Sequence, residues 1–210
     1  MPRLSILTLV AVLAAAAVPG ATVNVSLVDA KGAPVADAVV SLTVAGAATP
    51  PAAGPAVEIV QKNQTFIPYV TAISVGTAVV FPNEDNVQHH IYSLSKAKRF
   101  EKPLYAPGSR ESVIFDQPGV VTIGCNIHDW MVAYIVVLPT PYFAKTGADG
   151  RVALAGLPPG SFRLEVWHPL LPAPQDRTLT LAADATESFV LALKPDRRIR
   201  RAPESKAGGY

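Results

Sequence analysis

A proline or a glycine falls about once in every six positions of this chain, with 20 Pro and 14 Gly among 210 residues. Proline removes a backbone donor, and both residues interrupt regular periods, so this many breakers argue against a helical bundle. They fit many short strands joined by turns. The chain is half apolar and only 16% charged, enough to build a core. It has one cysteine and four histidines, so an intramolecular disulfide, a zinc ribbon and any Cys-paired cluster are excluded. Those five residues are the whole stock of thiolate and imidazole donors.

The N-terminus carries Arg3, an apolar run from Leu4 to Val18, and a break at Pro19-Gly20-Ala21. This pattern predicts a secretory signal peptide over 1–21 and a periplasmic mature protein. The run is short for a membrane span of about 20 residues. No cysteine lies near its exit, which excludes a lipoprotein anchor, and no further transmembrane candidate follows. Without a twin arginine, export of the unfolded chain is expected, with any metal acquired outside the cytoplasm. The 194–210 tail holds six Lys or Arg against Asp196 and Glu204, while residues 4–193 carry a net −3 (11 basic, 14 acidic). A solvated, disordered basic end fits the tail; the same charge would suit weak contact with an acidic partner or a membrane surface. Nothing in the body suggests nucleic acid.

Residues 22–44 read as a hairpin: Val23, Val25 and Leu27 alternate, Asp29 to Gly32 turns, and Val40, Leu42 and Val44 alternate again. The 45–55 stretch is a linker rich in Ala, Pro and Gly. The same strand grammar returns after 143, around Val152 and Leu154, Phe162 to Val166, Leu179 and Leu181, and Phe189 to Leu193. Between these halves, strands are predicted at 56–60, 70–80, 87–93, 112–116, 119–124 and 132–138. The simplest account is one compact domain inserted between the strands of another, because a hairpin alone is not stable in water.

The segment Gly124-Cys125-Asn-Ile-His128-Asp-Trp-Met131 places a thiolate, an imidazole and a thioether three residues apart. Type 1 copper takes one Cys thiolate and two His nitrogens in a plane, with a long axial thioether. A tight loop between strands 119–124 and 132–138 can turn all three side chains toward one ion. His89-His90, about 36 residues upstream of Cys125, offers the second imidazole. Neighbours on a strand point to opposite faces, so one of the pair faces the metal and the other does not.

These residues resemble a cupredoxin. A strand ending at Asn83, a short loop, a His opening the next strand and a Cys-x-x-His-x-x-Met loop similar to that of amicyanin are all present. The outer segments VNVSLVDAKGAPVADAVVSL and TGADGRVALAGLPPGSFRLEVWHP look like a split carboxypeptidase regulatory-like, or transthyretin-like, β-sandwich. Together they resemble the exported proteins labelled methylamine utilization proteins. The resemblance implies an all-β chain, with a cupredoxin-like Greek-key sandwich at 55–140 inserted into a second sandwich at 22–50 and 141–193. It implies one type 1 copper held by His89, Cys125, His128 and Met131. It selects His89 over His90, which then takes the place of a small polar follower and acts on the site indirectly or titrates beside it. The chain departs from the family pattern at Val132 and Ala133, where a charged residue and a glycine are usual.

Other candidates carry less. His168 is expected to serve a turn or packing, and Asp116, Asp129 and the pair Glu84/Asp85 show no acid/base pairing. Trp130 lines the copper edge or shields the thiolate. Asn63-Gln-Thr65 matches a glycosylation sequon. No Ser-His-Asp arrangement, phosphate loop or HExxH occurs, so no enzyme is expected. The expected function is one-electron transfer between Cu(I) and Cu(II) with a protein redox partner, His128 being the electron port. The alternatives are a copper carrier or chaperone, and a carbohydrate-binding or adhesion module with structural copper.

Overall fold

The computed structural model describes residues 20–44 and 52–196. The signal-peptide region up to 19, most of the linker (45–51) and the tail from 197 lie outside the described residues. No helix is present among the described residues, so none is long and apolar enough to cross a membrane.

Among the described residues, seventeen strands follow in order. The first two are β1 (Ala21–Asp29) and β2 (Val39–Val44). Next come β3 (Val57–Glu58), β4 (Val60–Gln61), β5 (Phe66–Ile67), β6 (Val70–Ser74), β7 (Thr77–Pro82), β8 (His89–Ser95) and β9 (Lys98–Tyr105). They continue as β10 (Arg110–Phe115), β11 (Gly119–Gly124), β12 (Val132–Leu138), β13 (Phe143–Lys145) and β14 (Arg151–Leu157). The last are β15 (Gly160–Trp167), β16 (Gln175–Leu181) and β17 (Ala185–Leu191).

The strands sort by sheet. The central ones form β10-β7-β3, β6-β12-β11-β8-β9 and the short pair β4-β5. The flanking ones form β14-β1-β17 and β13-β2-β15-β16. Each group encloses its own core, as period-2 alternation requires when two inner faces meet. Phe66, Phe81, Phe115, Ile123 and Ile135 fill the first; Leu27, Leu42, Leu157, Phe162 and Leu164 fill the second. A smaller cluster of Val39, Val70, Val136 and Leu138, joined by Tyr134 and Trp167, packs one group against the other. Burying apolar surface at about 25 cal/mol per Å² makes each of these cores a principal stabilising term.

Several expectations need correction. The 22–44 segment is not a hairpin. Its turn forms as read, with the Asp29 carboxylate accepting from the Lys31 and Ala33 amides and Gly32 at φ +82°. Pairing stops after Val28 and Pro34, and β1 and β2 enter opposite sheets. The local turn favours a hairpin, but burying both apolar faces requires the strands to separate across a core. The predicted 70–80 strand is two strands, broken at Val75-Gly76, where Gly76 adopts φ +87°. The 56–60 strand breaks at Ile59, and β9 lies where no strand is predicted. β9 is an edge strand with charged, exposed positions and Pro103, the composition by which edges avoid further pairing.

Candidate metal centre

The centre lies where β11 gives way to β12. These strands pair from Gly119↔Val137 to Gly124↔Val132, so residues 125 and 131 face each other across the mouth of the ladder. The loop closes on itself: the Cys125 amide donates to the Met131 carbonyl at 3.3 Å, and the Met131 amide to the His128 carbonyl at 2.9 Å. β8 lies beside β11 through Gly124↔Tyr92. A Cβ on Gly124 would meet the Tyr92 ring at 3.3 Å, so glycine lets β8 approach closely. That approach carries His89, the first residue of β8, to the loop.

Three donors converge. Cys125 Sγ lies 3.8 Å from His89 Nδ1 and 3.6 Å from His128 Nδ1. All three atoms lie within 4.8 Å of one another. Donors sharing one ion in a plane, at about 2.0 Å for nitrogen and about 2.3 Å for sulfur, stand roughly 3.7 Å apart. The observed spacings match that figure, so the residues present fit a single first-row ion. His89 and Cys125 are buried, whereas His128 is half-buried. The Met131 side chain is buried in the same core as Cys125.

The electrostatics favour the metal-ready form at Cys125 and His128, and hold a proton on His89 that a metal must displace. Burial alone would raise the Cys125 thiol, yet hydrogen bonding to His89 and to the His90, Ile127 and His128 backbones brings it below the ordinary value. Burial would depress His89, but bonds to Cys125 and Asp85, with the charges on both, raise it instead. His128 is lowered by burial and then by repulsion from His89.

His90 faces away from this group. Its Nε2 pairs with Glu101 at 2.9 Å and its ring stacks on Tyr92. His168 accepts the Leu170 amide on Nδ1, in the turn role expected of it. Trp130 packs against His128, with ring centroids 5.4 Å apart, and its Nε1 donates to the Gln64 carbonyl at 3.1 Å.

Asp85 is a correction. The sequence predicts no pairing at Glu84/Asp85, yet Asp85 Oδ2 lies 2.7 Å from His89 Nε2. Asp85 also accepts the Asn63 amide at 2.5 Å and the Gln64 amide at 2.9 Å. A carboxylate four residues before a candidate ligand is the available signal. Only the fold reveals that the intervening loop brings the two together.

No family model matches the chain, and no curated protein does. Solved structures give partial matches. A purple cupredoxin from Nitrosopumilus maritimus is 29% identical over 39% of this chain and 99% of its own, with a TM-score of 0.36. A copper-containing nitrite reductase from Thermus scotoductus SA-01 is 28% identical over 47% of this chain and 27% of its own, with a TM-score of 0.39. The Cu(I) form of an amicyanin mutant is 18% identical over 47% of this chain and 99% of its own, with a TM-score of 0.38.

Proposed function

We propose that this chain is a periplasmic type 1 copper protein that passes single electrons between redox partners. The observation that carries the reading is the convergence of Cys125 Sγ with His89 Nδ1 and His128 Nδ1 at 3.8 and 3.6 Å. One thiolate and two imidazoles is the donor set that a blue-copper ion takes, and Met131 at the end of the same loop would offer it a thioether. A bound copper ion supplies a Cu(I)/Cu(II) couple.

The chain's own residues do the rest. Backbone groups of His90, Ile127 and His128 stabilise the thiolate. The loop between β11 and β12 is pinned at both ends, which holds one donor geometry through a change of charge. His128 is the partly exposed member of the set, and Ile127 beside it is 47% exposed, so that edge is the route for an electron. The periplasmic address belongs to the same proposal and is supported by the apolar run from Leu4 to Val18. So does the layout in which 55–140 is inserted between 22–50 and 141–193, supported by the separation of the sheets and their cores.

The test is voltammetry of the copper-loaded mature chain combined with transfer to a Cu(I) chelator. A reversible one-electron wave with slow loss of copper is expected. Rapid, complete transfer without a reversible wave would favour the copper carrier and sink the electron-transfer reading.

A further inference from the structure

A single carboxylate bonds both to His89 and to the 62–65 turn that Trp130 of the other ligand loop also touches. Asp85 is nearly enclosed, its side chain 10% exposed beside a fully buried His89. It sits in the loop between β7 and β8, whose shape Asn83 maintains. The Asn83 Oδ1 accepts the Asp85 amide at 3.0 Å, and its Nδ2 donates to the Val87 carbonyl at 2.9 Å. From there Oδ2 reaches His89 Nε2 at 2.7 Å and the Gln64 amide at 2.9 Å, while Oδ1 takes the Asn63 amide. Asn63 and Gln64 both hold positive φ, at 53° and 51°, which is uncommon for residues with a Cβ. The Gln64 carbonyl in turn receives the Trp130 indole from the other ligand loop.

The chemistry of the pair fixes a proton. An ionised carboxylate only accepts, so on a neutral imidazole the hydrogen must sit on Nε2. That leaves the Nδ1 lone pair directed toward Cys125, the form a metal requires. A carboxylate on the outer nitrogen also makes the ligating nitrogen more electron-rich, which favours the higher-charged ion.

We propose that Asp85 is a positioning residue of the metal centre: its carboxylate fixes the tautomer and orientation of His89, and through the 62–65 turn and Trp130 it ties the first ligand loop to the second. This rests on the copper reading above for what it does to the metal, but the tautomer is a property of the protein alone. The same carboxylate would hold the occupied centre toward the oxidised ion.

Asp85→Asn is the informative change because it keeps the shape and removes acceptor capacity. The amide cannot accept from His89, Gln64 and Asn63 together, since whichever oxygen becomes NH₂ faces a donor. Nitrogen-15 NMR of metal-free wild-type protein, at a pH where the ring is neutral, should place the His89 proton on Nε2. In Asp85→Asn the His89 nitrogens and the Asn63 and Gln64 amides should all shift. Cu(II) affinity, by chelator competition, should fall about 10- to 100-fold. Cu(I) affinity should fall less, so the potential should rise by about 59 mV for each tenfold difference between the two losses.

A wild-type proton on Nδ1, or a variant with unchanged Cu(II) affinity and potential, overturns the proposal. Should Asp85→Asn not fold, the wild-type tautomer still decides. A wild-type protein that shows the Nε2 proton but forms no blue centre would retain Asp85 as the positioning group and reject the copper reading.

Discussion

Cys125 and His89 are 36 residues apart, yet Sγ and Nδ1 meet at 3.8 Å. Two strand pairings produce this contact: β11 with β12 presents the loop, and β8 against β11 brings His89 to it. Because each half of the donor set is held by a different strand end, the donors stand assembled in the folded protein.

Replacing the thiol should remove the blue centre entirely. In Cys125→Ser, a hard oxygen takes the place of the soft sulfur, and visible absorption of copper-treated protein should show no intense band. Retention of the band would place the thiolate ligand elsewhere, which a chain with one cysteine does not allow.

The two adjacent histidines should behave oppositely. His89→Ala should abolish the blue centre, whereas His90→Ala should keep one copper per chain. His90 pairs with Glu101, whose side chain is 70% exposed. Loss of that contact with an exposed carboxylate should therefore cost no more than about 1 kcal/mol. Copper stoichiometry with spectroscopy and thermal melts checks both halves. Loss of copper from His90→Ala alone would reverse the assignment.

In metal-free protein the Cys125 thiolate should form below the ordinary thiol value of about 8.5, because its folded-state pKa is lowered. The sign follows from linkage. Since the unfolded thiol titrates higher, the associated stability is present above the unfolded value and is lost as pH falls through the folded one. Thiolate ultraviolet absorbance against pH, in folded and urea-unfolded protein, measures the difference. A folded-state midpoint above the unfolded one would contradict it.

Leu164, fully buried in the outer core, should separate stability from the metal site. Leu164→Ala should destabilise the protein by about 2–5 kcal/mol and leave the copper spectrum of the folded protein unchanged. Calorimetry and visible absorption on the same sample test this. A changed spectrum would mean that the two cores are not independent.

Much of this is legible in the chain. The run at 119–124 is bounded by Gly119 and Gly124 and that at 132–138 is apolar without a Gly or Pro, and β11 and β12 match them residue for residue. The Cys125-to-Met131 spacing can be read because one tight loop holds all three side chains. The sheet membership of β1 and β2 cannot: Asp29 and Gly32 specify a turn, whereas the pairing partners of Val23 and Val40 lie more than a hundred residues away. β9 is hidden because an edge strand needs little hydrophobic alternation, and Phe100 and Tyr105 alone do not make a period. Asp85 is hidden for a different reason: its partners come from the 62–65 turn and from His89, and sequence does not show which loops lie side by side.

The most direct test is X-ray absorption at the copper edge of the mature chain loaded with one equivalent of Cu(II), read with its visible spectrum. An intense thiolate-to-copper band is expected, with one short sulfur neighbour and two imidazole nitrogens around the ion. A colourless protein whose copper has only nitrogen and oxygen neighbours would contradict it.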